Sequence, residues 1–219
     1  MSDLALQLLN LLAALLLLLT FAMLSQRRII SLIKLFTLHG ATLVAATLIV
    51  AYVKHDRDLY FSAALTLILK VILIPWILYK LTLRLRIKWD VEPLINVPAT
   101  MLIGIVLVIL AFNLALPVAR LSTSVAHGAL GIALACILLS FMMMITRSKA
   151  LPQVIGFLTM ENGLFFAAIA ATNGMPMIVE LGVALAVLGG ILILGVFMFQ
   201  IREQFDNLDI HHLEVRKED

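Results

Sequence analysis

The 219-residue chain is 63% hydrophobic and 13% charged, where soluble domains hold about 45–50% apolar and about 25% charged residues. A soluble core could not bury so much apolar side chain, so the composition excludes an ordinary globular domain and specifies an all-α, polytopic integral membrane protein. A net charge of +3 with no basic stripe interleaved with aromatics argues against nucleic acid as a partner, and the lone Cys136 excludes a disulfide framework or a cysteine-held metal site within the chain.

Seven apolar segments approach the roughly 20 residues needed to cross a bilayer. They fall at 3–25, 29–53, 60–82, 97–116, 125–146, 151–172 and 176–200, forming a single transmembrane domain over 1–219 with a polar tail at 201–219. The first segment has no basic n-region and no small-residue cleavage site, so it reads as a retained, lipid-facing helix. In the second, Lys34 stands near one end, where its stem can reach the headgroups, and His39 stands mid-segment in L-F-T-L-H-G-A-T. His39 is either a hydrogen-bonded packing residue or a group able to titrate near neutral pH.

The third segment carries Lys70 in L-T-L-I-L-K-V-I-L-I-P-W. A lysine there needs a carboxylate or a water path, and Pro75 removes a backbone donor and kinks the helix beside it. Trp89, in the charged connection that follows, suits an interfacial anchor or a docking contact. Asn113 of the fourth segment and Asn162 of the sixth can hydrogen-bond between helices, and His127 opens the fifth near an interface.

The sixth segment holds Glu161 at its middle, where a charge costs about 2.5–3.5 kcal/mol on insertion scales. It is either an exchangeable carboxyl on an ion path or a hydrogen-bonded packing group. Glu180 enters the seventh segment shallowly, as an entrance or exit group or as a helix-start carboxylate, and Gly182, Gly189, Gly190 and Gly195 make that segment a packing element. The candidate relay set is therefore Glu161, Lys70, His39 and Glu180.

Basic residues orient the chain. Arg27, Arg28, Lys80, Arg84, Arg86, Lys88, Arg147, Lys149, Arg202, Arg216 and Lys217 fall on one side, against Lys54, Arg57 and Arg120 on the other. That bias predicts an N-terminus outside and a C-terminus in the cytoplasm. No Walker A loop, GxGxxG turn, GxSxG elbow, HExxH or CxxC occurs, which argues against an enzyme acting alone.

The run V-I-G-F-L-T-M-E-N-G, the later V-E-L-G, the tail F-D-N-L-D-I and the run L-I-L-K-V-I-L-I-P together resemble component E of hydrogenase-4 and formate hydrogenlyase-type complexes. The last two segments and the tail are similar to the small K subunit of respiratory complex I. The resemblance implies a multi-pass subunit of a prokaryotic plasma (inner) membrane, beside antiporter-like membrane subunits and other members of a complex I-like assembly. It places no cofactor in this chain, and [NiFe] and iron–sulfur centres in partner subunits.

By the same resemblance, Glu161 and Lys70 join a hydrophilic axis along a membrane arm. Two positions depart from the K subunit: Leu158 stands where its first relay glutamate falls, and Gly190 where its second does. Glu161, three residues after Leu158, lies on nearly the same helix face. The function expected is proton translocation coupled to redox chemistry in partner subunits. The alternatives are a structural packing subunit, or a subunit of an antiporter-like ion or inorganic-carbon transporter without a hydrogenase.

Overall fold

A computed structural model describes residues 3–55, 57–84, 95–121 and 127–171. Among these the chain is helical, with no strand: α1 (Asp3–Ser25), α2 (Ile29–Lys54), α3 (Arg57–Thr66), a π-helical turn (Leu67–Leu73), α4 (Ile74–Arg84), α5 (Val97–Leu121), α6 (His127–Thr146) and α7 (Ala150–Ala171). The expected segment at 176–200, with Glu180, the tail and the Trp89 connection, lies outside the described residues.

Local chemistry sets the helix ends. His55 closes α2 in the left-handed region (φ 53°), its N–H returning to the carbonyl of Ala51. Pro98 and Pro152 sit in the first turns of α5 and α7, where a missing N–H costs nothing. The third expected segment, 60–82, runs from Arg57 to Arg84 as two α-helices joined by the π turn. The fourth extends past 116 to Leu121 with Pro117 inside it.

Among the described residues, five helices are long and apolar enough to cross a membrane: Leu4–Ser25, Ile29–Lys54, Arg57–Leu83, Val97–Pro117 and Gly128–Thr146. The exterior is correspondingly apolar: Leu102, Ile105, Val106 and Ile109 on α5, and Ile68, Ile72 and Trp76 across the π turn and α4, are all exposed. Many of the mid-helix polar side chains are inside. Thr20, Thr47, Thr82, Thr146 and Thr159 are buried, and each donates its hydroxyl to the carbonyl four residues earlier, which satisfies a hydroxyl without a second helix. Apolar outside and polar inside is the pattern of a chain whose solvent is lipid.

α6 and α7 form a tight antiparallel hairpin, α5 packs on α6, and α1 lies against α2 and α6. Closeness in the hairpin depends on Gly163, where a Cβ would stand 3.0 Å from Cγ1 of Ile137 and 3.3 Å from its backbone nitrogen. Between the two helices, Arg147 is buried. It donates from Nη2 to the carbonyls of Leu24 (2.7 Å) and Met23 (3.5 Å), capping the C-terminal end of α1 where a cation suits the helix dipole. Arg147 is therefore an internal cap, in contrast to a solvated loop charge of the kind the positive-inside count assumes.

The core divides into two apolar clusters. One is built from Met23, Leu24, Ile29, Phe36, Ile74, Leu139, Ile155 and Leu158 with their neighbours. The other is built from Leu9, Leu16, Leu43, Val50, Leu59, Ala133, Phe165 and Ile169 with theirs. Between the levels of the two clusters stand polar side chains, Thr20 on α1, His39 on α2, Lys70 on the π turn, and Glu161 with Asn162 on α7, whereas on α6, which also contributes to both, the intervening residues are the apolar Ile137 and Leu138. The fold thus encloses a polar layer between two apolar ends.

Candidate functional site: an ion pair and a histidine network

The site is assembled from the π turn outwards. In an α-helix the N–H of residue 75 would bond the carbonyl of Val71, but Pro75 has no N–H and its ring crowds that carbonyl. The backbone widens ahead of it: the N–H of Ile74 bonds the carbonyl of Leu69, five residues back. π turns are rare and concentrate at functional positions. Here the turn occupies Leu67–Leu73 and carries Lys70, which is 1% exposed among exposed apolar neighbours such as Leu67, Ile68 and Ile72.

Gly40 of α2 lets two backbones approach at this level. A Cβ on it would lie 3.3 Å from Cγ2 of Val71 and 3.6 Å from the carbonyl oxygen of Lys70. His39, its chain neighbour, is thereby brought to the level of the lysine.

Lys70 Nζ lies 2.7 Å from Oε1 of Glu161. It also sits 5.3 Å from the centroid of the Phe165 ring. Glu161 and Phe165 are four residues apart on α7, hence on one face, and the ammonium rests between a carboxylate and the negative face of a ring. The sequence spacing left the contact between Lys70 and Glu161, 91 residues apart, undecided; the fold makes it. Oε2 of Glu161 is buried and has no hydrogen-bond partner among the described residues.

His39 is buried in a second polar group beside the pair. Nδ1 stands 3.3 Å from Nδ2 of Asn162, and Nε2 stands 3.3 Å from Oγ1 of Thr20. An amide nitrogen only donates, so Nδ1 accepts. The hydroxyl hydrogen of Thr20 goes to the carbonyl of Leu16 at 2.8 Å, so toward His39 that oxygen accepts and Nε2 carries the hydrogen. The three contacts define one neutral tautomer, Nε2–H. Oδ1 of Asn162 has no partner among the described residues, although Asn162 is fully buried.

Of the four expected relay residues, Lys70, Glu161 and His39 share this layer, and Glu180 lies outside the described residues. Sequence reading treated Asn162 only as a general packing amide and missed Thr20, Gly40 and Phe165. A threonine in a leucine run, a glycine after a mid-segment histidine and an aromatic four residues beyond the glutamate were the available signals, each common in membrane helices. Asn113 bonds the carbonyl of Ile109 on its own helix and faces outward, so it joins no second helix among the described residues. Lys34 is exposed.

No group of three or more His, Cys, Asp or Glu side chains placed to hold a metal occurs among the described residues. An apolar groove of about 450 Å³ between α1, α2 and α3, lined by Leu8, Leu48, Tyr52 and Tyr60, is remote from the ion pair.

Fold and site define a class: a multi-pass helical membrane protein with a buried lysine–glutamate pair in an internal polar layer. The chain is 31% identical over 189 residues to Uncharacterized protein Rv0085 of Mycobacterium tuberculosis, covering 86% of both chains, and it belongs to the same family. No family model and no solved structure matches it.

Proposed function

We propose that the chain is a membrane-arm subunit of a hydrogenase-4 or complex I-like assembly, contributing buried ionisable residues to proton translocation driven by redox chemistry in partner subunits. In this reading seven helices cross a prokaryotic plasma membrane, with the N-terminus outside and the C-terminus cytoplasmic. Antiporter-like subunits flank it, and [NiFe] and iron–sulfur centres reside in partner subunits. Glu161 is the central exchangeable carboxyl, Lys70 its charge partner, His39 an auxiliary proton acceptor, and Glu180 an entrance or exit group.

The observation that carries this reading is the Lys70–Glu161 pair at 2.7 Å, held in a polar layer between two apolar clusters. Taking two charges out of water costs several kcal/mol per ion, and a well-packed apolar pair of similar volume serves stability as well or better. Packing alone therefore gives weak reason for the pair, whereas a group that changes charge during turnover needs such a partner. Oε2, which has no hydrogen-bond partner among the described residues, gives a proton a place to arrive without first breaking the contact to Lys70.

The pair also joins α7 to the π turn, which favours a second reading in which it only fixes helix packing. Glu161→Gln separates the two. In a normally assembled complex, measured as protons moved per electron transferred in sealed vesicles, the variant should lower the ratio at least severalfold. An unchanged ratio refutes the relay and leaves the packing role.

A further inference from the structure

We propose that Asn162 is the positioning residue that decides which nitrogen of His39 takes a proton, and that rotation of its amide lets the ring hold a second one. The purpose rests on the relay reading above; the tautomer assignment does not.

Three observations carry it. Nδ1 of His39 faces Asn162 on α7 and Nε2 faces Thr20 on α1, so the ring spans the layer from one helix to the other. Thr20 has already committed its hydrogen to Leu16 and accepts from Nε2–H whether the ring is neutral or charged. The only contact that must change on protonation is the one at Nδ1. Asn162 presents N–H there, while its Oδ1, the acceptor an imidazolium would require, is buried and unpartnered among the described residues.

A half-turn of the amide exchanges the two atoms. Before it, Nδ2 donates to a bare Nδ1; after it, Oδ1 accepts from Nδ1–H. Each orientation satisfies one half of the amide at the histidine and withdraws the other, so the proton count of the ring decides between them. The step forms one N–H bond at Nδ1 and adds one positive charge. The proton is supplied as hydronium and reaches the ring by way of the relay, an O–H bond breaking as the N–H bond forms and neutral water being left, and nothing is oxidised or reduced. Among the described residues, the titratable and charged groups facing this site are Lys70 on the π turn, Glu161 on α7 and Cys136 on α6, whose thiol lies beside Thr20. Two cations in one low-dielectric layer repel, so a second proton on His39 and the charge of Lys70 are coupled.

The test is ¹⁵N NMR of the full chain, labelled at histidine and held in lipid nanodiscs at neutral pH, with His39→Gln identifying the signals among the five histidines. The wild type should show a single neutral Nε2–H tautomer at His39. Asn162→Asp, which offers an acceptor in every orientation, should convert the majority of rings to Nδ1–H, as the other tautomer or as imidazolium. If that variant fails to fold, Asn162→Leu carries the test, and a mixture of tautomers is expected. A wild-type Nδ1–H ring, or an Nε2–H signal unchanged in the Asn162 variants, overturns the inference while leaving the Glu161 relay standing. An unchanged proton ratio in Glu161→Gln removes the relay and leaves the tautomer assignment intact.

Discussion

Breaking the Lys70–Glu161 pair from one side should be far more damaging than removing it whole. Glu161→Gln leaves the ammonium of Lys70, which is 1% exposed, facing a neutral amide with the Phe165 ring, 5.3 Å away, as its remaining electrostatic support among the described residues. A ring contact is worth about 0.5–2 kcal/mol, whereas stranding one member of a buried pair costs about 3–5 kcal/mol. The single variant should therefore lose roughly 1–4.5 kcal/mol of stability. Lys70→Met strands the carboxylate and should cost about as much. The double variant Lys70→Met/Glu161→Leu leaves no unpaired charge and should lie closer to the wild type than either single variant, within about 2 kcal/mol. Denaturant unfolding of the purified chain in detergent, followed by tryptophan fluorescence, measures all four corners of the cycle. If both single variants stay within about 1 kcal/mol of the wild type, or if their effects simply add in the double variant, the pair is not a desolvated unit and the argument for a coupled site fails.

Pro75→Ala should restore an N–H that reaches the carbonyl of Val71 and tighten the π turn to an α turn, shifting the helix before it by about 100° relative to the part after it. Lys70 then leaves the reach of Glu161, and Glu161→Gln should cost at least about 1 kcal/mol less in the Pro75→Ala background than alone; equal costs would mean that the π turn does not aim the lysine. Gly163→Leu should destabilise the α6–α7 hairpin by about 1–3 kcal/mol, because the added side chain meets the backbone of Ile137 at its first carbon. Gly128→Leu is the control in the same unfolding assay: a Cβ there meets nothing within 4 Å, and the loss should stay within about 0.5 kcal/mol.

Much of this protein was legible from its residues. The excess of apolar side chain, the spacing of the segments and the rarity of mid-segment charge pointed to helices in lipid, and they singled out Lys70, His39 and Glu161 because a bilayer makes each of those residues expensive. Pro75 announced an irregularity beside Lys70, since a missing N–H is a covalent fact. The form it takes is a π turn in place of a simple kink, with the backbone of α2 lying against it at Gly40.

What the chain alone could not reveal is pairing. Lys70 and Glu161 are 91 residues apart, and Asn162 and His39 are 123 apart. Helical periodicity says which residues share a face of one helix but nothing about which face meets which. Arg147 shows the same limit: in the sequence it is one more cation in a connection, and in the fold it is a buried cap on the end of α1, 123 residues away. Local chemistry is written along the chain, while the ion pair, the histidine tautomer and the polar layer exist only once α1, α2, the π turn and α7 bring distant side chains to one depth. In lipid that packing is decided by close contact, as at Gly163 and Gly40, and by polar groups finding partners, because burying apolar surface no longer distinguishes one neighbour from another.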